Sequence, residues 1–286
     1  MSSYIDLHAH STASDGTLTP EDLVKHAHSK NIKVFALTDH DAMGGLAEAR
    51  VAADSLGMTL INGVEISVTW RKQTLHIVGL NVDPNNMQLL SGLAKLREFR
   101  DWRALEIGNR LDKAGIAGAY AAASKMATGE SISRTHFAQF LVAQGYAKNI
   151  SKVFKKYLVA GKPGYVAGDW AELGVAIQWI RDAGGQAVIA HPARYKLSLT
   201  KLKILLQEFK ESGGEAIEVV SGSHSRDEIA NMASLAEKFG LLGSKGSDYH
   251  GPENVYREID KVDLLPNHVT PIWHNWPAAK LLLNND

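Results

Sequence analysis

Five short clusters containing histidine stand out in the sequence, and each follows an apolar segment. The clusters are His8-Ala9-His10, Asp39-His40-Asp41, His191-Pro192, Ser223-His224 and Asp248-Tyr249-His250. Imidazole and carboxylate groups bind divalent transition metals. The chain has no cysteine, which excludes thiolate sites and disulfides. One histidine in such a position would mean little, but five clusters in one chain predict a shared metal site.

The elements that must position these clusters alternate between strand and helix. The apolar segments predict strands at residues 4–7, 33–38, 186–190, 216–220 and 242–245. One helix is predicted to begin at Pro20, with Thr19 as its N-cap. Further helices are predicted at residues 44–56, 170–183, 199–211 and 225–239. Alternation of this kind indicates a parallel sheet, and in a closed α/β barrel the carboxyl ends of the strands form one face. We therefore expect the clusters to converge.

The middle of the chain breaks this alternation. From residue 87 to about 114, apolar positions recur at helical spacing, and further helices are predicted near residues 133–144 and 151–158. This stretch contains no strand candidate and closes at Gly161-Lys162-Pro163-Gly164. We predict a helical insertion at approximately residues 87–166 within a single domain of residues 1–286.

The first cluster offers the clearest ligand pair. His8 and His10 flank Ala9 in an extended segment, so both side chains point the same way and can grip one ion. Asp15 lies on the loop just beyond and is a further candidate; the alternative interpretation is a turn residue before Gly16.

The second cluster contains one ligand candidate and two supporting acids. His40 is the predicted ligand. Asp39 is expected to hydrogen-bond a ligand ring and fix its tautomer. Asp41 is expected to cap the helix that begins near Gly44.

A predicted hairpin adds two further ligands. Its arms are residues 64–70 and 74–80, around Arg71-Lys72-Gln73. With a loop of two or four residues, position 65 pairs with position 78, and Glu65 and His76 become diagonal neighbours on one face. A loop of three residues would break this parity.

Nine ligand candidates result, which is too many for one ion and suits two or three. They are His8, His10, Asp15, His40, Glu65, His76, His191, Asp248 and His250. Nitrogen and oxygen donors favour Mn²⁺, Fe²⁺ or Zn²⁺ over Ca²⁺, and we expect Mn²⁺, with Mg²⁺ as a further alternative. Three such ions against three carboxylates leave net positive charge, which favours phosphate over a peptide carbonyl.

Four more residues are candidates for contact with phosphate. If Ser133 caps a helix, Arg134 and His136 lie in its first turn, where free backbone amides attract anions. Arg194 follows His191 by three residues, and its guanidinium matches phosphate oxygens. Lys162 could reach phosphate from its loop. His136 and His250 are the predicted catalytic residues; either His136 or a metal-bound water would protonate the leaving oxygen.

Overall charge narrows the ligand class. Lys and Arg together number 31, as do Asp and Glu, so the chain lacks the basic excess that long nucleic acids favour. A short phosphorylated ligand fits better. No apolar run reaches membrane-spanning length, and the first eight residues lack the pattern of a signal peptide. We expect a cytoplasmic protein.

At these positions the sequence resembles the polymerase-and-histidinol-phosphatase (PHP) family. The matching segments are Asp6-Leu7-His8-Ala9-His10-Ser11, Ser14-Asp15-Gly16, Leu37-Thr38-Asp39-His40-Asp41, Gly63-Val64-Glu65, Leu75-His76-Ile77-Val78-Gly79, Ala190-His191-Pro192 and Gly246-Ser247-Asp248-Tyr249-His250. The resemblance spans nearly the whole chain, and no ligand position of the family pattern is missing.

The resemblance implies a distorted (β/α)7 barrel with two or three metals. By analogy, His8, His10, Glu65 and Asp248 would hold one ion, Asp15, His40 and His250 a second, and Glu65, His76 and His191 a third. Ser133-Arg134-Thr135-His136-Phe137 and the loop at 161–165 look most like the stand-alone branch that removes the 3′-phosphate of nucleoside 3′,5′-bisphosphates, through a hydroxide bridging two ions. Related members trim RNA from its 5′ end.

Three alternatives remain at this point. A histidinol-phosphate phosphatase or another small phosphomonoesterase would use the same ligands. In a non-catalytic module the metals would only brace the fold. A protein that binds RNA without hydrolysing it is the third.

Overall fold

The computed structural model describes residues 4–127, 129, 132–252 and 258–277. The strands are β1 (Ile5–Asp6), β2 (Val34–Leu37), β3 (Thr59–Trp70), β4 (Gln73–Leu80), β5 (Ala171–Glu172), β6 (Gln186–Ile189), β7 (Ala216–Ser221) and β8 (Leu242–Gly246). The α-helices among these residues are α1 (Pro20–Ser29), α2 (Leu46–Ser55), α3 (Met87–Lys113), α4 (Ala119–Met126), α5 (Arg134–Ala143), α6 (Ile150–Val153), α7 (Leu173–Asp182), α8 (Leu199–Glu211) and α9 (Arg226–Phe239).

Seven strands form a barrel-like sheet in the order β1-β2-β3-β4-β6-β7-β8. Neighbouring strands are parallel except around β4, which is antiparallel to β3 and to β6. The sheet closes between β8 and β1, where the Leu7 amide donates to the Lys245 carbonyl at 3.1 Å. Gly246 permits this approach, because a Cβ at that position would lie 2.3 Å from the His8 Cβ. The predicted distorted seven-stranded barrel is confirmed.

The β3–β4 hairpin has a two-residue loop. Trp70 pairs with Gln73, and both loop residues, Arg71 and Lys72, have positive φ, which is typical of tight hairpin turns. The predicted loop also included Gln73, which instead begins β4. Glu65 pairs with Val78, as the even-loop alternative required.

Helices α3 to α6 surround a second apolar core, separate from that of the barrel. Ile107, Leu111, Phe137 and Leu158 are among its buried side chains. That this segment is an insertion into a single domain stays a prediction. α4 was not predicted, and the helix expected at 151–158 is α6 followed by a π-helical turn over Phe154–Leu158.

Two helices begin more than one residue later than predicted. The helix expected at 170–183 begins at Leu173, because Ala171 and Glu172 extend along β3 as β5. The helix expected from Gly44 begins at Leu46, after Gly45. Within the described part of the chain, no helix combines the length and the apolar character needed to cross a bilayer.

Candidate metal centre

Eight of the nine predicted ligands follow strands, or lie on the β3–β4 hairpin, at one end of the barrel. Ligand atoms lie within 4.8 Å of one another in three groups of described residues: His10, Asp15, His40 and His250; His8, His10 and Glu65; and His40, Glu65 and His76. Asp15, the ninth predicted ligand, comes from the loop after β1. Because His10, His40 and Glu65 each belong to two groups, the three groups form one continuous cluster.

Glu65 on β3 lies at the centre of this cluster. Its carboxylate is fully buried and lies within 3.4 Å of five imidazole nitrogens. They belong to His8, His10, His40, His76 and His191. Burial alone would raise the pKa of Glu65, but the surrounding histidines, His76 foremost, hold it well below its usual range. A carboxylate that stays ionised in this position suits a bridging ligand.

Asp248 and His191 extend the cluster on the β6 and β8 side. Asp248 Oδ1 lies 3.5 Å from His10 Nε2 and 3.7 Å from His8 Nε2. His191 Nε2 lies 3.1 Å from Glu65 Oε1. Asp248 and His191 are not members of the three groups. They have positive φ angles of 55° and 29°, respectively, which indicates local backbone strain in non-glycine residues.

The polar atoms left unsatisfied at the centre fit bound cations. Asp15 Oδ1, Glu65 Oε2 and His40 Nδ1 are buried and form no hydrogen bond of regular geometry, although the last two atoms lie 2.9 Å apart. Buried polar atoms normally have such a bond, so these atoms are available to coordinate an ion. Oxygen and imidazole donors without sulfur match Mn²⁺, Zn²⁺ or Fe²⁺. Burial lowers the pKa of His40 to about 4, which leaves its ring neutral and able to coordinate near pH 7. The residues therefore fit divalent metals.

Glu218 on β7 was missed in the sequence. Its Oε1 lies 2.5 Å from His8 Nδ1, and its Oε2 accepts the His191 backbone N–H at 2.5 Å. The bond to His8 fixes the ring so that Nε2 faces Glu65, the role expected of Asp39. An acid inside the otherwise apolar strand Ala216–Ser221 was the available signal.

Asp39 does not hydrogen-bond an imidazole, so that prediction is wrong. Its carboxylate accepts from the Ser11 amide at 2.8 Å, the Ser11 hydroxyl at 2.7 Å and the Ser14 hydroxyl at 2.6 Å. These bonds shape the loop that carries Asp15. Asp39 therefore orders the chain between two candidate ligands, His10 and Asp15.

Asp41 is not a helix cap, which corrects a second expectation. Its Oδ1 accepts the Ser67 amide at 2.7 Å, and Arg100 Nε donates to its Oδ2 at 2.6 Å. Arg97 also donates to the Asp41 carbonyl at 2.8 Å. Two arginines of α3 therefore hold the segment that immediately follows His40.

The helix cap predicted at Ser133 is present. Its side chain accepts the Thr135 amide, and its own amide donates to His136 Nδ1 at 3.0 Å. Arg134 and Thr135 thus occupy the first turn of α5, and the Thr135 hydroxyl donates to Asp15 Oδ2 at 3.1 Å. The first turn of α5 therefore borders the cluster through the Thr135 hydroxyl.

The remaining predicted residues fall in different places. Arg194 Nη1 donates to Asp248 Oδ2 at 2.6 Å, at the edge of the cluster. Lys162 is exposed, and no described contact joins its side chain to the cluster. His224 is in none of the three groups, and its Nδ1 lies 3.1 Å from the Val219 carbonyl. Four of the five clusters converge, so the expectation that all five would do so is wrong for the fourth.

Known proteins resemble this chain along nearly its whole length. Residues 6–182 match the PHP domain family. A 3′,5′-nucleoside bisphosphate phosphatase of Chromobacterium violaceum is 47% identical over 278 residues, which are 97% of this chain and 98% of that protein. A 5′-3′ exoribonuclease of Escherichia coli is 44% identical over 95% of this chain and 93% of that protein.

A solved structure shares the fold closely. It is an amidohydrolase from Chromobacterium violaceum with bound sulfate and no metal, 47% identical, with a TM-score of 0.91 and coverage of 94% of each chain. The extent of these matches and the convergence of histidines and carboxylates agree. The chain therefore belongs to the PHP domain family, and it is a hydrolase.

Proposed function

We propose that this protein is a metal-dependent phosphoesterase that removes the 3′-phosphate of nucleoside 3′,5′-bisphosphates and trims short RNA from its 5′ end. One observation carries the proposal: a fully buried carboxylate, Glu65, lies within 3.4 Å of five imidazole nitrogens. The names of two relatives, a bisphosphate phosphatase and a 5′-3′ exoribonuclease, supply the substrate classes.

The three ligand groups would hold two or three divalent ions, for which Mn²⁺ is our choice. Asp248 joins the group of His8, His10 and Glu65, and His191 joins Glu65 and His76, because their ligand atoms lie beside those residues. Bound ions of this kind supply an activated water and neutralise charge on phosphate oxygens.

The two substrate classes require the same bond to break. In both, the oxygen of a water molecule becomes bonded to phosphorus, the bond from phosphorus to the 3′ oxygen breaks, and that oxygen receives a proton. The products are inorganic phosphate and a nucleoside 5′-monophosphate from a bisphosphate, or a nucleoside 5′-monophosphate and a shortened chain from RNA. One site can therefore serve both substrates.

Protein groups around the cluster would bind the substrate and move the proton. Arg194 reaches Asp248 and is placed to bind the reacting phosphate, while Arg134 in the first turn of α5 attracts the other one. His136 accepts a hydrogen bond at Nδ1, so its neutral ring carries the proton at Nε2 and can donate it to the leaving oxygen. His250, which lies 3.4 Å from Asp15, is the second catalytic candidate.

The test compares substrates on one Mn²⁺-loaded preparation. We expect release of phosphate from adenosine 3′,5′-bisphosphate, little from histidinol phosphate, and loss of all turnover after chelation or His40→Ala, with Lys125→Ala on α4 as an exposed control. Equal turnover of histidinol phosphate would support the small-phosphatase alternative instead. No hydrolysis of the bisphosphate, of 5′-phosphorylated RNA or of an aryl phosphate would refute the proposal and favour a non-catalytic module.

A further inference from the structure

The positive charge of the chain is concentrated in one part of the helical segment. Residues 132–168 contain Arg134 and five lysines but no aspartate or glutamate. Because the whole chain has 31 residues of each sign, the remainder has 25 lysines and arginines against 31 acidic residues. The neutral total therefore conceals a basic stretch of the kind that binds phosphate backbones.

Four of these lysines are exposed on α6, immediately before it, and on the π-helical turn that follows it. They are Lys148, Lys152, Lys155 and Lys156, and we call them the lysine surface. Lys155 and Lys156 follow Lys152 by three and four residues, the spacing of neighbours on one helical face. None of the four forms an ion pair with a residue that the structure describes. Their charges are therefore available to an external anion.

Aromatic side chains lie among these lysines. Lys156 Nζ lies 4.9 Å from the centroid of the Tyr157 ring, and the Tyr146 ring meets Tyr157 edge-on with centroids 6.1 Å apart. Tyr146 is partly exposed. Cations interleaved with aromatic rings suit a single strand, whose unpaired bases can stack on the rings while its phosphates contact the cations. In a double helix the bases are already stacked on one another and cannot use such rings.

The lysine surface begins next to the metal cluster. Thr135 of α5 donates to the candidate ligand Asp15, and the neighbouring Arg134 guanidinium stacks on Phe154, the residue before Lys155. Charges act over about 8–10 Å at physiological ionic strength. The surface thus borders the place where a strand would present its terminal nucleotide. A nucleoside bisphosphate ends at that place, whereas an RNA strand continues beyond it.

We propose that the lysine surface binds the sugar-phosphate backbone of single-stranded RNA beyond the nucleotide that is removed. This inference rests on the proposed trimming of RNA. One metal cluster then cleaves both substrates, but only RNA gains binding energy from the lysines. Each lysine that contacts a phosphate releases a counter-ion from the strand, so this contribution falls as the salt concentration rises.

The first test measures RNA binding without turnover. The chelated protein is titrated with 5′-phosphorylated single-stranded RNA of about ten nucleotides, a length within the usual range of single-strand sites, and fluorescence anisotropy is followed over a range of salt concentrations. The test variant combines Lys152→Gln, Lys155→Gln and Lys156→Gln. The matched control makes the same change at three exposed lysines elsewhere, Lys33, Lys95 and Lys238.

The expected effect is a change in salt dependence. In a plot of log affinity against log salt concentration, a single strand contributes a slope of about −0.7 for each phosphate that the protein neutralises. Removal of three lysines should make the slope less negative by about 2 and should lower RNA affinity roughly tenfold or more at about 0.1 M salt. The control should keep the slope of the parent. A parent-like slope in the test variant would overturn the inference.

The second test compares two substrates on the Mn²⁺-loaded protein. We expect the test variant to lower kcat/KM for the RNA roughly tenfold, through a higher KM. Turnover of adenosine 3′,5′-bisphosphate should change less than about twofold, because this substrate ends at the metal cluster. An equal loss on both substrates would mean that the lysines act on the cluster or on any anion, and the inference would be wrong.

This inference and the proposed function can fail separately. If the loaded parent does not trim RNA, that part of the proposed function fails, while anisotropy of the chelated protein still judges the lysine surface. If the parent binds vesicles of phosphatidylglycerol and the test variant does not, with equal RNA binding by both, the surface serves anionic lipid and the inference is overturned. Should the test variant lose the circular dichroism of the parent, Lys152→Gln alone decides, by a change in slope of about 0.7.

Discussion

Glu218→Gln is expected to weaken divalent-metal binding although it removes no metal ligand. Both oxygens of Glu218 act as acceptors, one beside the His8 ring and one for the His191 backbone N–H. Glutamine has the same shape but offers one acceptor and one amide donor. Whichever way the amide turns, an N–H group faces another N–H group.

Each orientation harms a different ligand. If the amide nitrogen faces His8, the ring satisfies it by moving its proton from Nδ1 to Nε2, and Nε2 can no longer coordinate. If it faces His191, that residue loses the hydrogen bond that holds its strained backbone, at a φ of 29°. Loss of a carboxylate behind a ligating histidine typically lowers metal affinity about 10- to 100-fold, which corresponds to about 1.4–2.7 kcal/mol.

Calorimetric titration with Mn²⁺, supported by electron paramagnetic resonance to count bound ions, measures this effect. Glu237→Gln, on the exposed surface of α9, makes the same chemical change away from the cluster and should leave affinity unchanged. Affinity and stoichiometry of the Glu218→Gln protein equal to those of the parent would refute the argument that a carboxylate is needed behind His8 and His191.

Three further predictions concern the supports of the site. Arg100→Met leaves the buried Asp41 carboxylate without its cation, and we expect a loss of about 3–5 kcal/mol in urea unfolding; a loss below about 1 kcal/mol would show that Arg97 alone holds Asp41. Gly246→Ala places a Cβ 2.3 Å from the His8 Cβ, so β1 and β8 must separate; we expect about 1–3 kcal/mol of destabilisation together with weaker Mn²⁺ binding, and unchanged metal affinity would contradict the coupling. Chelation should lower the free energy of unfolding by about 2.7 kcal/mol for each bound ion whose free concentration had been 100 times its dissociation constant. A melting temperature that does not depend on Mn²⁺ would argue against metals at Glu65.

The parts of the site that could be predicted from sequence are those fixed by local geometry. Residues that directly follow buried strands must emerge at the barrel mouth, which placed His8, His40, His191 and Asp248 correctly. Strand periodicity of two likewise fixed the face of Glu65 once the hairpin loop had an even length. These rules need only the chain near each residue.

The missed features depend on contacts between distant parts of the chain. Glu218 meets His8 across 210 residues, and Asp41 meets Arg100 across 59. Asp39 and Asp41 looked like a ring partner and a helix cap because local rules offered those roles. Instead, Ser11 donates a hydrogen bond to Asp39 and Arg100 donates one to Asp41, because both carboxylates are buried and must be hydrogen-bonded. His224 was misjudged because a strand-end position does not fix which way a side chain turns.

The helical segment and the metal cluster are one functional unit. The barrel supplies the nine candidate ligands, but α3 holds the residue after His40 through Arg97 and Arg100, and α5 contacts Asp15 through Thr135. Helix α5 also carries Arg134, the residue proposed to attract the phosphate that is not cleaved. A change that displaces α5 is therefore expected to alter both the position of Asp15 and the binding of that phosphate.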